Sequence, residues 1–158
     1  MRYDGQSCDY VSDFAQPLRR FVCALPIAFI MLAGAITLSR AATYEDLIDD
    51  AAQRYEIPAS LLNAVMLVES DGRPRAVSWC GSRGLMQLKP KTYAWVRHAH
   101  PEVGRDIMNP VNNINAGAAF LRSLLDTYTL DEALARYNGT RLGSPAAERY
   151  LARIEARL

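Results

Sequence analysis

Residues 61–70 have the sequence LLNAVMLVES, an apolar helical run that ends in a glutamate and a serine. Burial at the end of such a run disfavours the charged form of Glu69, and the negative end of the helix dipole acts in the same direction. Both effects raise its pKa, and a carboxylic acid that stays protonated near neutral pH can donate a proton to a leaving group. The alternative is a solvated glutamate at a frayed helix end.

Helix-start signals divide residues 42–158 into short helices. Thr43 and Asp46 form a capping-box pattern before a first helix, and Pro58 opens the helix that carries Glu69. The same signals predict later helices that start at Pro90, at Asn109-Pro110 (the longest), at Asp131 and at Pro145. No segment alternates as a strand does. The sequence therefore predicts one all-α domain whose helices surround a cleft.

The segment between the second and third helices is rich in turn-forming residues. Asp71-Gly72 and Pro74 end the second helix, so residues 71–83 are predicted to be a loop with a short hairpin. Residues 84–88 are expected to begin a new helical turn.

The N-terminal residues have the pattern of an export signal. Arg19-Arg20 precedes an uncharged stretch over residues 21–38, and Ser39-Arg40-Ala41 has small residues at the two positions that a signal peptidase recognises. This predicts a signal peptide over residues 1–41, cleaved after Ala41, and an exported, periplasmic domain over residues 42–158. The alternative is an uncut inner-membrane anchor, although the apolar stretch is at the short end of what can span a bilayer.

Charge and cysteine content give no sign of a nucleic-acid partner or of a disulfide framework. Residues 42–158 carry 14 basic and 14 acidic residues, so the charge does not indicate a nucleic-acid partner. Cys80 is the only cysteine in this part, so no intramolecular disulfide can form. The fold must therefore be stabilised by packing. His98 and His100 are weak evidence for a metal site. We expect neither a metal nor a cofactor.

Short motifs follow Glu69 in a characteristic order. They are Glu69-Ser70, Ala76-Val77-Ser78, Gly81, Gly84-Leu85-Met86-Gln87, Pro90, Thr92, Asn109-Pro110, Asn113-Ile114, Ala116-Gly117, Ala135-Arg136-Tyr137-Asn138-Gly139 and Tyr150. Their order and spacing resemble the lytic transglycosylases of the soluble lytic transglycosylase (SLT) domain type, over roughly residues 44–158. The resemblance implies a lysozyme-like helical domain with a substrate cleft, and a carbon–oxygen lyase that acts on peptidoglycan.

The resemblance also implies roles for individual residues. Glu69 matches the single catalytic acid/base. The implied substrate-binding residues are Ser78, Met86, Gln87, Tyr137, Asn138 and Tyr150. Residue chemistry supports some of these independently, because Gln87 and Asn138 carry donors and acceptors suited to acetamido and hydroxyl groups, and Tyr137 offers a flat face for a sugar ring. Without the resemblance, Met86 and Tyr150 would be assigned to the core and Asn113 to the start of its helix.

The positions of the aspartates and glutamates in the sequence indicate whether one or two carboxylates act in the mechanism. Most glycosidases place two carboxylates around the scissile bond. Residues 72–100 contain no aspartate or glutamate and Asp71 is poorly placed, although a carboxylate from further along the chain could fold in. The resemblance implies that Glu69 alone acts. It would protonate the oxygen between N-acetylmuramic acid (MurNAc) and N-acetylglucosamine (GlcNAc), then take a proton from the C6 hydroxyl to give a 1,6-anhydro end.

Three alternatives remain open at this stage. One is a hydrolytic muramidase on the same fold. Another is a non-catalytic cell-wall-binding subunit of a secretion or conjugation apparatus, which is also the kind of partner that the resemblance suggests for small members of the family. The third is a secreted helical domain without activity.

Overall fold

The computed structural model describes residues 43–158, and the predicted signal segment lies outside them. Six helices make up this part: α1 Tyr44–Arg54, α2 Ala59–Ser70, α3 Pro90–Ala99, α4 Pro110–Leu125, α5 Leu130–Tyr137 and α6 Pro145–Glu155. β-structure within residues 43–158 is limited to two isolated bridges, Val77 with Arg83 and Arg83 with Leu88. The all-α prediction is therefore confirmed. In this part of the chain none of the helices has the length and apolar character needed to cross a membrane.

Caps and prolines start most helices where the sequence predicts them. At α1 the Asp46 N–H donates to Thr43 Oγ1 at 3.3 Å, and the Thr43 N–H donates to Asp46 Oδ2 at 2.7 Å, which completes the capping box. Asn109 caps α4 by accepting from the Asn112 N–H at 3.2 Å. Helix α5 begins at Leu130, one residue before the predicted start, because Thr129 takes the extended N-cap conformation.

The helices pack in a closed ring. Helix α1 contacts α2, α2 contacts α6, α6 contacts α5, α5 contacts α4, and α4 returns to α1, while α3 packs on α4. The largest fully buried apolar side chains within this arrangement are Leu62, Val65, Leu85, Met86, Val96, Ile114, Leu121 and Ile154. The ring brings the C-terminal ends of α2 and α5 close to the connection between α2 and α3.

That connection contains a tight turn at residues 84–87 in place of the expected helical turn. Arg83 and Leu88 exchange backbone hydrogen bonds at 2.9 and 3.1 Å, so the chain reverses between them. Gly84 has φ of 78° and Gln87 has φ of 46°, both in the left-handed region that a right-handed helix does not contain. The bridge between Val77 and Arg83 confirms the predicted short hairpin before this turn.

The side chain of Asn113 fixes the turn on α4. Its Oδ1 accepts from the Met86 N–H at 2.7 Å, and its Nδ2 donates to the Arg83 carbonyl at 3.1 Å and to the Ile107 carbonyl at 2.8 Å. Asn113 is fully buried, and these bonds use both of its N–H donors and its acceptor. A Cβ atom at Gly84 would lie 2.4 Å from Asn113 Nδ2, so only glycine fits there.

We expect Asn113→Ala to lower the free energy of unfolding by about 2–4 kcal/mol, because it leaves the Met86 N–H and the Ile107 carbonyl without partners and removes one of the hydrogen bonds that the Arg83 carbonyl accepts. Chemical denaturation measures the change. Asn115→Ala is the matched control on the same helix, since Asn115 bonds only to the carbonyl of its own helix at 2.8 Å. A loss of more than about 0.5 kcal/mol in the control, or no loss at Asn113, would contradict the assignment.

Candidate active site

A cavity of about 210 Å³ opens beside the C-terminal end of α2, where Glu69 lies. Its other polar lining residues are Ser82, Gln87, Lys89, Thr92, Arg136 and Asn138. Phe120, Tyr137 and Leu88 supply its apolar walls. Among residues 43–158, Glu69 is the only carboxylate that lines this cavity. The cavity thus combines one acidic side chain with aromatic rings and with hydrogen-bond donors and acceptors.

The end of α2 places Glu69 at the rim of the cavity. Asp71 caps the helix in the left-handed conformation with φ of 55°, and its N–H donates to the Leu67 carbonyl at 3.0 Å. Gly72 follows with φ of 70°, which makes two successive left-handed residues. The helix therefore stops directly after Glu69 and Ser70, and the carboxylate stands beside the loop instead of inside the core.

Two side chains of α6 hold this end of α2. The Tyr150 hydroxyl donates to Glu69 Oε1 at 2.8 Å. One helical turn later, Arg153 Nη2 donates to the Val68 carbonyl at 2.6 Å. These contacts fix both the carboxyl group and the backbone next to it.

Burial of the Glu69 carboxyl group raises its pKa above the ordinary value. The hydrogen bond from Tyr150 and the positive charge of Arg153 act in the opposite direction, because both favour the carboxylate. Desolvation is the larger effect, which confirms the direction predicted from the sequence. Glu69 therefore keeps its proton to a higher pH than a solvated glutamate does.

Tyr150 contacts the acid and does not line the cavity. Its ring is 4% exposed within the core, and its hydroxyl bonds to Glu69. Tyr150 therefore lies next to the Glu69 carboxyl group, and its assignment as a substrate contact stays a prediction. It positions the carboxyl group from behind.

Met86 also lies behind the cavity wall. Its side chain is fully buried and packs so closely on α4 that a Cβ at Gly117 would lie 2.6 Å from Met86 Cγ. The turn at residues 84–87 directs the Met86 side chain into the core, and the assignment of Met86 as a substrate-binding residue stays a prediction. Its carbonyl accepts from the Tyr137 hydroxyl at 3.0 Å, so Met86 acts on the cavity through Tyr137.

Tyr137 lines the cavity with its ring, as expected. The ring packs on Phe120 with centroids 5.3 Å apart and planes at 39°. Burial and the nearby Glu69 raise the pKa of the Tyr137 hydroxyl well above the ordinary value, so it remains a neutral donor. Because that donor is already bonded to Met86, the ring face is what Tyr137 presents to the cavity.

Gln87 and Asn138 line the cavity in different hydrogen-bonding states. Gln87 Nε2 donates to the carbonyls of Ala76 at 3.1 Å and Gly84 at 3.0 Å. Its Oε1 has no partner among the described residues and remains an acceptor. Asn138 ends α5, and its exposed side chain forms no hydrogen bond within residues 43–158, so its amide offers both donors and an acceptor.

Ser78 does not line the cavity, and Ser82 takes the place expected for it. The Ser82 N–H donates to Ser78 Oγ at 3.0 Å, and the Ser78 N–H donates to the Ser82 carbonyl at 3.0 Å. Ser78 thus closes the hairpin that carries Ser82, and its assignment as a substrate contact stays a prediction. The hairpin register would have indicated Ser82, but the sequence does not determine that register.

The other lining residues missed by sequence reasoning gave weaker signals. Phe120 continues the apolar pattern of α4, and Thr92 belongs to the motif set without an assigned role. Arg136 stacks over Tyr128 at 3.9 Å and bonds to Glu132 at 2.9 Å. Glu132 and Arg136 both line a separate cavity of about 580 Å³. No group of three or more potential His, Cys, Asp or Glu metal ligands occurs in residues 43–158.

The chain is similar to known cell-wall enzymes. Residues 46–151 match the family model described as the transglycosylase SLT domain. A membrane-bound lytic murein transglycosylase C from Haemophilus influenzae is 38% identical over 94 residues, which cover 56% of this chain and 26% of that protein. Its counterpart from Actinobacillus pleuropneumoniae is 38% identical over 109 residues, which cover 65% of this chain and 29% of that protein. The chain therefore spans less than a third of these relatives.

A solved structure has the same fold. The 70-kDa soluble lytic transglycosylase from Escherichia coli aligns with a TM-score of 0.56 and 26% identity, covering 73% of this chain and 19% of that one. A complex of a 70-kDa soluble lytic transglycosylase with bulgecin A aligns with a TM-score of 0.57 at the same identity and coverage. The lysozyme-like helical fold expected from the sequence is confirmed.

We expect Tyr150→Phe to raise the pKa of Glu69 further, because the hydroxyl that stabilises the carboxylate is lost while the buried ring remains. Carbon NMR titration of the glutamate carboxyl groups measures the shift. Tyr44→Phe, at an exposed position of α1, is the control. An unchanged or lower pKa in Tyr150→Phe would show that the hydrogen bond does not act on the carboxylate.

We also expect Glu69→Gln to be more stable than the wild type at neutral pH. Above about pH 4.5 the unfolded chain releases this proton while the folded state retains it, so the free energy of unfolding falls as the pH rises towards the folded pKa. Because glutamine does not ionise, the free energy of unfolding of the variant does not fall in this way. Denaturation at several pH values should show the advantage shrinking as the pH falls to 4.5. Glu148→Gln, on the exposed face of α6, should show no such pH-dependent gain.

Proposed function

The chain belongs to the transglycosylase SLT domain family, and from this premise we propose that it is a peptidoglycan lytic transglycosylase. It would cleave the β-1,4 bond between MurNAc and GlcNAc without water and leave a 1,6-anhydro-MurNAc end. The observation that carries this proposal is a single carboxyl group of raised pKa, Glu69, in a cavity with no second carboxylate among its described lining residues.

The first step uses Glu69 as a general acid. Protonated Glu69 donates its proton to the glycosidic oxygen, the bond from that oxygen to C1 of MurNAc breaks, and the GlcNAc portion leaves as an alcohol. Positive charge develops at C1 in an oxocarbenium-like state. The raised pKa supports this role, because the acid must still hold its proton when the substrate binds.

The second step uses the same group as a base. Glu69 is now a carboxylate, stabilised by the Tyr150 hydroxyl at 2.8 Å and by the charge of Arg153. It accepts the proton of the C6 hydroxyl on the same MurNAc, and the C6 oxygen bonds to C1 to close the anhydro ring. Glu69 ends the cycle protonated, as it began, so neither water nor a second carboxylate is required.

The cavity walls suit the sugars on either side of the bond. The faces of Tyr137 and Phe120 can pack on the apolar face of a pyranose ring. The free acceptor of Gln87 and the free amide of Asn138 can pair with acetamido and hydroxyl groups. We assign substrate contacts to these residues and to Ser82, with Tyr150, Met86 and Ser78 positioning them.

The proposed substrate also indicates where in the cell the protein acts. Peptidoglycan lies outside the inner membrane, so the proposed activity requires export, which agrees with the signal pattern over residues 1–41. We propose a periplasmic domain, held at the inner membrane if that segment is retained; the similar enzymes are named as membrane-bound. The small size of the domain suits local opening of the wall, which is the role that a secretion or conjugation apparatus would need.

We expect Glu69→Gln to reduce the release of anhydromuropeptides from purified sacculi by at least about 100-fold, because both proton transfers lose their group. Mass spectrometry of the released muropeptides measures this and identifies the product ends. Glu148→Gln should retain wild-type activity. Reducing ends would identify a hydrolytic muramidase. Intact sacculi with wild-type protein would favour a binding subunit, and full activity in Glu69→Gln would refute the mechanism.

A further inference from the structure

The short hairpin between α2 and α3 carries a tryptophan that faces solvent. The Gly81 N–H donates to the Ser78 carbonyl at 2.9 Å, which places Trp79 and Cys80 at the tip of a tight turn. Two further hydrogen bonds of 3.0 Å join Ser78 to Ser82 at the base of this turn. Trp79 is 98% exposed, so its indole ring projects into solvent from a backbone that these bonds hold in place.

Apolar and cationic side chains accompany this tryptophan. Val77 is 60% exposed, and its antiparallel bridge with Arg83 puts both side chains on the same side of the hairpin. Arg73, Arg75 and Val77 line a common surface cavity of about 500 Å³. The three arginines are exposed, and none of them forms a salt bridge within residues 43–158. We refer to Arg73, Arg75, Val77, Trp79 and Arg83 as the hairpin patch.

The charge of the chain is strongly divided along the sequence, with the hairpin patch in the positive part. Residues 72–100 contain six arginines and lysines and no acidic residue, whereas residues 43–71 contain seven acidic residues and one arginine. The domain therefore has a strongly basic segment although its net charge is zero. A basic surface of this kind attracts a partner that carries many negative charges.

The composition of the hairpin patch matches the surface of an anionic bilayer. Tryptophan is enriched at the headgroup level of membranes, where the indole ring buries its apolar body and keeps its N–H near water. Guanidinium groups pair with phosphates, and basic residues are drawn to anionic lipid. A protein partner would need a recess for the projecting ring and acidic groups opposite three arginines. A bilayer meets both needs at any point of its surface.

We propose that the hairpin patch docks the domain on a bilayer of anionic phospholipid, with Trp79 at the headgroup level and the three arginines against lipid phosphates. Ser82, at the base of the same hairpin, lines the cavity that contains Glu69, so docking holds that cavity beside the membrane. Under the proposed function, the glycan strands nearest the bilayer become the accessible substrate. The docking itself does not rest on the proposed function, because it requires no peptidoglycan.

Tryptophan fluorescence tests the docking, because Trp79 and Trp95 are the only tryptophans of the chain. Full-length Trp95→Phe, which retains Trp79 alone, is mixed with vesicles of phosphatidylglycerol or of phosphatidylcholine, with and without brominated acyl chains. We expect the Trp79 emission to shift to the blue, and to be quenched by brominated lipid, with phosphatidylglycerol only. Added salt should weaken both changes, since it screens the attraction.

Trp79→Phe is the matched control, because it leaves Trp95 as the only tryptophan. Trp95 is 53% exposed on α3 and lies outside the hairpin patch, so its emission should change with neither lipid. The apolar stretch over residues 21–38 gives the full chain a second way to bind lipid. Both variants contain that stretch, so the difference between them reports on the hairpin patch.

The arginines are tested in the Trp95→Phe background. Arg75→Gln should lower the ratio of inserted to free Trp79 about 5-fold, because the anionic surface loses one of the cations that it attracts. Arg54→Gln, at the exposed C-terminal end of α1, should leave that ratio unchanged, since Arg54 lies outside the hairpin patch.

An unshifted Trp79 emission with phosphatidylglycerol vesicles would overturn the inference, and would leave an acidic protein surface as the occupant of the patch. Equal shifts with both lipids would overturn it too, because the arginines would then play no part. So would equal shifts at Trp79 and Trp95, which would show adsorption without the hairpin. Release of anhydromuropeptides is measured on sacculi without vesicles, so the docking and the proposed function can fail separately.

Discussion

The buried amide of Asn113 is the contact on which the site geometry depends. It bonds to Arg83 and Met86 on the turn and to Ile107 on the loop before α4, and so joins segments up to 30 residues apart in sequence. A buried amide with any of these partners missing would carry an uncompensated desolvation cost. The turn therefore has one stable position, and this position sets the wall that carries Gln87 and the carbonyl that holds Tyr137.

The site also depends on a balance of opposing effects on the pKa of Glu69. Burial favours the protonated form, whereas the Tyr150 hydroxyl and the Arg153 charge favour the carboxylate. The proposed mechanism, in which Glu69 first gives and then takes a proton, needs both effects, because each form has to be accessible within one cycle. Helix α6 supplies both opposing groups one turn apart, so its packing against α2 tunes the site as well as stabilising the fold.

Several motif residues act on the cavity through other residues. Ser78 holds Ser82, Met86 holds Tyr137 through its carbonyl, and Tyr150 holds Glu69. A sequence motif marks positions where a residue type matters, but it does not separate contact with a ligand from support of the residue that makes the contact. The geometry shows which residues these motif residues support, and it places Phe120 at the cavity, although its place in an apolar helix gave no functional signal.

The sequence by itself determined the all-α class, the starts of α1, α4 and α6, and the shifted pKa of Glu69, because capping, proline and apolar periodicity act within a few residues. It misjudged the turn at residues 84–87, where left-handed residues and a hairpin register override local helical preference. Only the tertiary structure decided which groups surround Glu69. The bond from Tyr150 to Glu69 joins residues 81 positions apart, and such contacts depend on how the helix ring closes, which no local pattern encodes.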